Sequence, residues 1–337
     1  MWKKLNDSVD YWSRPVLGNI NGKNPIMALA VEKDLRPYLG LARVIVNRQG
    51  NPNNSGFLDI SKLIIVESKD GLDWKKKGDL KIKGIDEIIN SYVSKKKFFI
   101  GLEDPDIFVE NGIVNAYFSI PFKFSKGKGY EVFLGHAQGK SLYDLKATVP
   151  TLHPLNRFVK GFKEVTISPI KYKGARFNLN EELVFNGRRE VSVVSVSKCT
   201  DLRKLWHYIG IVLDPRKMKF SWISNEASPC CFLPLRYKGF LVGVVNGREH
   251  KKFFYGKIFR GKFRPGLFLF NPKTGEIPWI ASEPLLEDPE AKGITFASDF
   301  LPLNKKECLL YCHVNDSFVR AYKINLEKLK RMLPKSL

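Results

Sequence analysis

The stretch Gly101-Leu-Glu-Asp-Pro-Asp-Ile-Phe-Val-Glu-Asn-Gly112 opens with crowded carboxylates and a proline, then runs into a short apolar strand. It ends on Asn111-Gly112, two residues that tolerate positive φ and so favour a tight hairpin turn. A second strand-like run, Val114 to Ser119, follows at once. Runs of this kind recur along the chain at 41–47, 62–66, 131–135, 191–196, 240–245, 253–258, 267–270, 309–313 and 318–322. Most are bounded by Gly, Pro, Asn or Asp. Helix signals are few: 84–93, and 326–333 at the C-terminus. Many short strands with close turns predict an all-β fold, as a sandwich, barrel or propeller.

Internal repetition decides among these. A small polar residue and a proline precede a strand at Asn24-Pro25, Asp104-Pro105, Ser168-Pro169 and Ser228-Pro229, and Ser298-Asp299 continues the series without the proline. A second mark reads Ser68-Lys-Asp-Gly-Leu-Asp-Trp74, Gly139-Lys-Ser-Leu-Tyr-Asp-Leu145, Ser197 to Leu202 with Trp206, and Asn271 to Trp279. The two marks run in phase at about one fifth of the chain, which divides 337 residues into units of about 67. The reading is one five-bladed β-propeller over residues 1–337, with a short C-terminal helix and blades starting near 24, 104, 168, 228 and 298. Radial blades leave only short sheet edges, and their first strands converge on a central funnel.

Composition agrees with a folded chain. It is 44% hydrophobic and 12% aromatic, unlike disordered sequences. The best apolar runs, Leu63 to Val66 and Phe240 to Val245, fall far short of the roughly 20 residues of a membrane-spanning helix. Met1 to Val9 lacks the apolar core of a secretory signal. The expectation is a cytoplasmic protein with no membrane partner. Lys and Arg number 56 against 34 Asp and Glu, a net charge of +22 that favours anionic partners. The lysines are spread along the chain, so a solvated surface explains them equally well. The run from Lys251 to Arg264 interleaves aromatic and basic residues as nucleic-acid surfaces do. A hairpin with buried aromatics and exposed lysines predicts the same letters and is the preferred account. Five cysteines without a signal do not suggest disulfides, and five histidines show no metal-like spacing. Neither a metal nor an organic cofactor is expected.

The chemistry concentrates at Glu103, Asp104 and Asp106. In a dry cleft these carboxylates repel one another, which raises at least one pKa and suits a general acid. Asp-Pro is also ordinary turn chemistry, but the other units carry Asn or Ser here. This segment resembles glycoside hydrolase family 130, the β-mannoside phosphorylases and β-mannosidases, which are five-bladed propellers. Other stretches match in the same order: Val44-Ile-Val-Asn-Arg48, Val66 to Trp74, Arg264 to Phe270, Glu283 to Glu290 and Leu310 to Asp316. The resemblance implies an inverting glycosidase or glycoside phosphorylase with Asp104 as proton donor. It implies that Arg48 and Asp316 bind the sugar; Glu103, Asp106 and His313 join them as candidate substrate contacts. Carboxylates accept hydrogen bonds from vicinal hydroxyls, and Arg donates without titrating.

The family usually reads Glu-Asp-Pro-Arg, whereas Asp106 stands here in place of that arginine. A phosphorylase needs fixed cations for inorganic phosphate as co-substrate, and Arg188 and Arg189 are the candidates. A hydrolase needs a carboxylate base about 6.5–9.5 Å from the acid; Glu190, Glu226 and Glu290 are the candidates. Lacking both, the protein would be a non-catalytic module binding an anionic glycan or nucleic acid through its basic surface. The expected partner is an oligosaccharide or small glycoside; nothing in the sequence sets the oligomeric state.

Overall fold

The computed structural model describes residues 1–19, 24–50, 58–126, 129–156, 158–185, 190–250, 252–254, 257–259 and 261–336. The chain is all-β, organised as successive antiparallel meanders. Sheet one comprises Ile26–Glu32, Tyr38–Gln49, Leu58–Ser68 and Lys75–Asp79. Sheet two comprises Glu103–Glu110, Ile113–Phe124, Tyr130–Gly139 and Lys146–Ala147, with Lys97–Phe99 also paired to Ile113–Phe124. Sheet three comprises Val159–Thr166, Arg176–Phe185, Glu190–Cys199 and His207–Leu213, joined to sheet two by one parallel pairing of Val132 with Gly161. Sheet four comprises Glu226–Tyr237, Phe240–Arg248, Phe263–Phe270 and Trp279–Ile280. Sheet five comprises Thr295–Pro302, Glu307–Val314 and Phe318–Asn325, and is completed by the N-terminal strands Val9–Trp12 and Trp2–Lys4.

The strand Leu58–Ser68 shows why the apolar runs are continuous. Side chains alternate across a strand, and this sheet is covered on both faces. Ile64 and Val66 pack with Leu309 and Val319 of sheet five. Leu63 and Ile65 pack with Phe118 and Phe133 of sheet two. The same arrangement repeats around the molecule. Tyr117 and Leu134 meet Phe162 and Val165 between sheets two and three. Leu179 and Val194 meet Val245 and Phe268 between three and four. Val242 and Leu267 meet Leu310 and Tyr322 between four and five. Each sheet thus shares one core with the sheet before it and one with the sheet after it. The first strands also touch in sequence: Ile26–Glu32 contacts Glu103–Glu110 and Thr295–Pro302, and Glu226–Tyr237 contacts Val159–Thr166 and Thr295–Pro302.

Both repeated sequence marks have a structural cause. The second closes the turn between third and fourth strands: Asp70 accepts the Leu72 N–H at 2.8 Å, and the Trp74 indole donates to the Gly71 carbonyl at 3.1 Å. In three of the five sheets the first mark is a β-bulge. Every first strand breaks register, at Met27/Leu29, Glu103/Asp106, Lys163/Val165, Pro229/Cys231 and Ala297/Asp299, with second breaks at Val159/Gly161 and Phe232/Arg236. Bulges kink a strand and re-aim its side chains. The bulges at Asp104, at Pro229–Cys231 and at Ser298 coincide with the sequence marks at those places. Asn24-Pro25 and Ser168-Pro169 instead flank their first strands, whose bulges fall at Ala28 and Glu164.

The predicted hairpin at Asn111-Gly112 forms, with φ of 54° and 71°. The helices are Ile85–Tyr92 and Leu326–Lys330, the latter capped by Asn325, whose side chain accepts the Lys328 N–H. Among the described residues no helix is long and apolar enough to cross a membrane.

Gly101 sets the approach to the second bulge. Its φ is +108°, and a Cβ there would stand 1.9 Å from the Ser61 carbonyl oxygen. Gly101→Ala is therefore expected to cost at least about 1–3 kcal/mol from the backbone conformation alone, with the clash added. Thermal denaturation checks this; an unchanged melting temperature would contradict the close approach.

Candidate functional site

Two of the bulges bring charged side chains into one neighbourhood. Two of the five bulge residues are acidic, Asp104 on sheet two and Glu164 on sheet three. Both adopt left-handed backbone, with φ of 46° and 44°. Such conformations are strained for non-glycine residues and cluster at functional sites.

Arg43, from the second strand of sheet one, organises the acidic pair. Its Nη1 donates to Asp104 Oδ1 at 2.8 Å, its Nη2 to Glu103 Oε1 at 2.6 Å, and its Nε to Ser61 Oγ at 3.0 Å. Ser61 in turn donates to Glu103 Oε1 at 3.1 Å, while Asp104 Oδ2 has only a long contact of 3.4 Å from Ser119 Oγ. Arg43 and Asp104 are buried. One guanidinium thus serves two carboxylates. Burial pushes Asp104 up, but Arg43 and Lys163 outweigh it and hold the carboxyl below its ordinary value. Glu103 goes the other way: burial exceeds the pull of Arg43, the charge of Asp104 adds to it, and the pKa rises to about 7. Around neutral pH Glu103 is therefore about half protonated, while Asp104 stays ionised.

Sheet three adds groups whose chemistry the sequence did not announce. Lys163 lies 3.6 Å from Glu181. Burial works against its charge, yet Glu181, Asp104 and Glu164 keep it protonated. Burial and the charge of Asp104 raise Glu164 well above the carboxylate range. Burial likewise raises Glu181, which accepts a hydrogen bond from Ser192 Oγ. The signal was available: Lys163-Glu164-Val165-Thr166 opens its sheet as Glu103-Asp104-Pro105-Asp106 opens the previous one. The repeated mark in this sheet, Ser168-Pro169, lies past the bulge and points away from it.

The other sugar-contact candidates gather nearby. Arg48 makes a two-pronged ion pair with Asp59, at 2.7 and 2.8 Å. Asp316 occupies a hairpin at φ 51°, with Oδ1 3.1 Å from His313 Nδ1. Burial raises Asp316, but His313, Arg43 and Arg48 prevail and keep it ionised. His313 also contributes to the field at Asp104. Asp104, Glu103, Arg48, His313 and Asp316 are thus electrostatic neighbours, with Arg43 at their centre.

Asp106 does not join them. Past the bulge its carboxyl belongs with Lys33 and Asp299, in a separate cavity. Glu226 is paired with Arg248 at 3.1 Å, and Glu290 with Arg320 at 2.7 Å. Arg188 and Arg189 lie outside the described residues, and of Glu190 only the strand backbone is described. Among the described residues no group of His, Cys, Asp and Glu is disposed to hold a metal ion.

No family model and no curated protein matches the sequence. Solved structures do. A β-1,2-mannobiose phosphorylase from Listeria innocua, in complex with β-1,2-mannobiose, superposes with a TM-score of 0.70 at 14% identity, covering 96% of this chain and 99% of that one. A structure from work on GH130 glycoside hydrolases that target β-1,2 mannosidic linkages in Candida mannan gives 0.70 at 17% identity, covering 94% and 92%. A mannose phosphorylase from Leishmania mexicana, in complex with phosphate ion, gives 0.60 at 12% identity, covering 97% and 91%. The chain has the fold of the GH130 mannoside phosphorylases and hydrolases.

Proposed function

We propose that this chain is a GH130-type enzyme, a single five-bladed β-propeller over residues 1–337, that cleaves β-mannosides or related glycosides at Asp104. The cyclic sharing of cores between sheets supports the propeller reading. The observation that carries the activity is the Arg43-bridged Glu103–Asp104 pair. It keeps a proton at the site near neutral pH, beside an oxygen, Asp104 Oδ2, with no strong partner.

Phosphorolysis is the favoured route. A hydrolytic base must be an ionised carboxylate free to take a proton from water. Of the described acidic groups near Asp104, burial raises Glu164 and Glu181, while Asp59 is paired with Arg48 and Asp316 lies against His313. Phosphate needs no base; it needs cations, and Lys163, held in its charged form by its acidic neighbours, is at hand. A phosphate oxygen would attack the anomeric carbon from the face opposite the leaving group. The glycosidic C–O bond breaks, and the leaving oxygen takes a proton that Asp104 relays from Glu103, where it rests beforehand. Sugar 1-phosphate and the shortened glycan are the products, and no cofactor enters.

The test is product analysis with β-mannobiose and a small β-mannoside panel, with and without inorganic phosphate. Mannose 1-phosphate formed only with phosphate is the expected result. Free mannose released regardless of phosphate would overturn phosphorolysis and direct attention to Glu190. No release from a folded protein on any panel member would overturn the mannoside assignment.

A further inference from the structure

The central cavity is separate from the Asp104 cluster and shares no residue with it. It measures about 300 Å³ and is lined from the first strands of all five sheets or the residues just after them. Its walls are largely apolar, with Ile107, Phe232, Leu233 and Phe300 among them. Its polar groups are few and unequal in their partners. Lys33 Nζ stands 2.9 Å from Asp299 and 4.7 Å from the centre of the Phe300 ring, so this cation is already matched. Asp106 feels the charge of Lys33 but makes no direct ion pair with it; its carboxyl accepts the Ile107 N–H. Thr166 is 2% exposed, lines the cavity, and its hydroxyl has no hydrogen-bond partner. A buried hydroxyl without a partner is costly, and Asp106, half-buried, shares its one nearby cation, Lys33, with Asp299. Burial and the charge of Asp299 push Asp106 up to about 7.

We propose that this cavity is a second binding site, for a small primary amine with a compact apolar body. The ammonium group donates to the Asp106 carboxylate and to Thr166 Oγ1, and the apolar body lies against Phe232 and Phe300. An anionic ligand of the same shape is disfavoured, because it meets Asp106 and Asp299. The same residues account for the exchange of the expected arginine for Asp106: Lys33 brings the cation to the cluster, which leaves one carboxylate over for a ligand.

Calorimetric titration of the whole chain at pH 8 with phenethylamine tests this, with phenethyl alcohol and 3-phenylpropionate as matched probes. The amine is expected to bind saturably, about tenfold or more tighter than either. Asp106→Asn should weaken amine binding by about tenfold or more while leaving the weak alcohol binding unchanged. Thr166→Val serves as the second variant should Asp106→Asn fold poorly, and should weaken the amine severalfold. No saturable amine binding, equal binding of amine and alcohol, or variants that bind as the parent does would each overturn the proposal. None of these readouts uses a glycoside, so failure here is distinguishable from failure of the mannoside assignment.

Discussion

Asp104→Asn is expected to lower kcat for phosphorolysis of β-mannobiose by about 10²–10⁴-fold, the usual worth of a positioned general acid. KM should change little, because Asn keeps the shape and can still accept from Arg43 Nη1, now 2.8 Å from Asp104 Oδ1. The loss should shrink for aryl β-mannosides with acidic leaving groups, which need less protonation. Initial rates on both substrate types measure this. Glu164→Gln is the decisive companion, since Glu164 also holds a proton beside Asp104. If Asp104→Asn retains full activity and Glu164→Gln loses it, the acid is Glu164.

Arg43→Met should be the most destabilising single change near the site, by about 3–5 kcal/mol, the typical cost of removing one partner from a buried ion pair. Arg43 is 8% exposed, and its loss leaves Glu103 and Asp104 without their hydrogen-bonded cation, with Lys163 left to offset their charge. The penalty should depend on pH, and its sign follows from linkage. In the parent, Asp104 is depressed, so its contribution is present above the ordinary carboxylate pKa and fades only in acid. In the variant both carboxyls rise. A carboxyl whose folded pKa lies above its unfolded one loses stability as pH climbs from about 4.5 through the folded value. Glu103, already at about 7 in the parent, sets the lower bound for where that loss continues. Melting temperatures of the two proteins should therefore lie closer at pH 5 than at pH 8. A pH-independent gap would contradict the shared-guanidinium account.

Much of the architecture was legible because edge and middle strands advertise themselves. Val191 to Val196 and Leu309 to His313 are apolar runs between turn residues, and both are strands. The strands missed are those with polar letters in buried positions. Arg176–Phe185 carries Asn178, Asn180, Glu181 and Glu182, all buried, and so reads as loop. First strands are hard to read for the same reason: Glu103–Glu110 and Val159–Thr166 carry charged residues beside apolar ones. At the site, Asp104, Arg48, His313 and Asp316 were found by resemblance and local pattern. Arg43 was not, because a lone arginine inside Leu41-Ala-Arg-Val-Ile45 gives no hint that its partners lie some 60 residues away. Register alternation cannot foresee a bulge, so Asp104 and Asp106 looked like neighbours in one site. The extra residue sends them to different ones.

The completion of sheet five by Val9–Trp12 has a kinetic consequence. Val9 pairs with Ile324, more than 300 residues away in the chain. Loop closure of that length carries an entropic cost that must be met before its contacts return anything, and such pairings form slowly. On a ribosome, Val9–Trp12 emerges well before its partner, Phe318–Asn325, and waits while the roughly 300 residues between them are made. Until then the faces of sheets one and four that pack on sheet five have nothing to cover them. The interval before this clasp shuts is when the nascent chain is most exposed to aggregation, and when a chaperone would find most to hold.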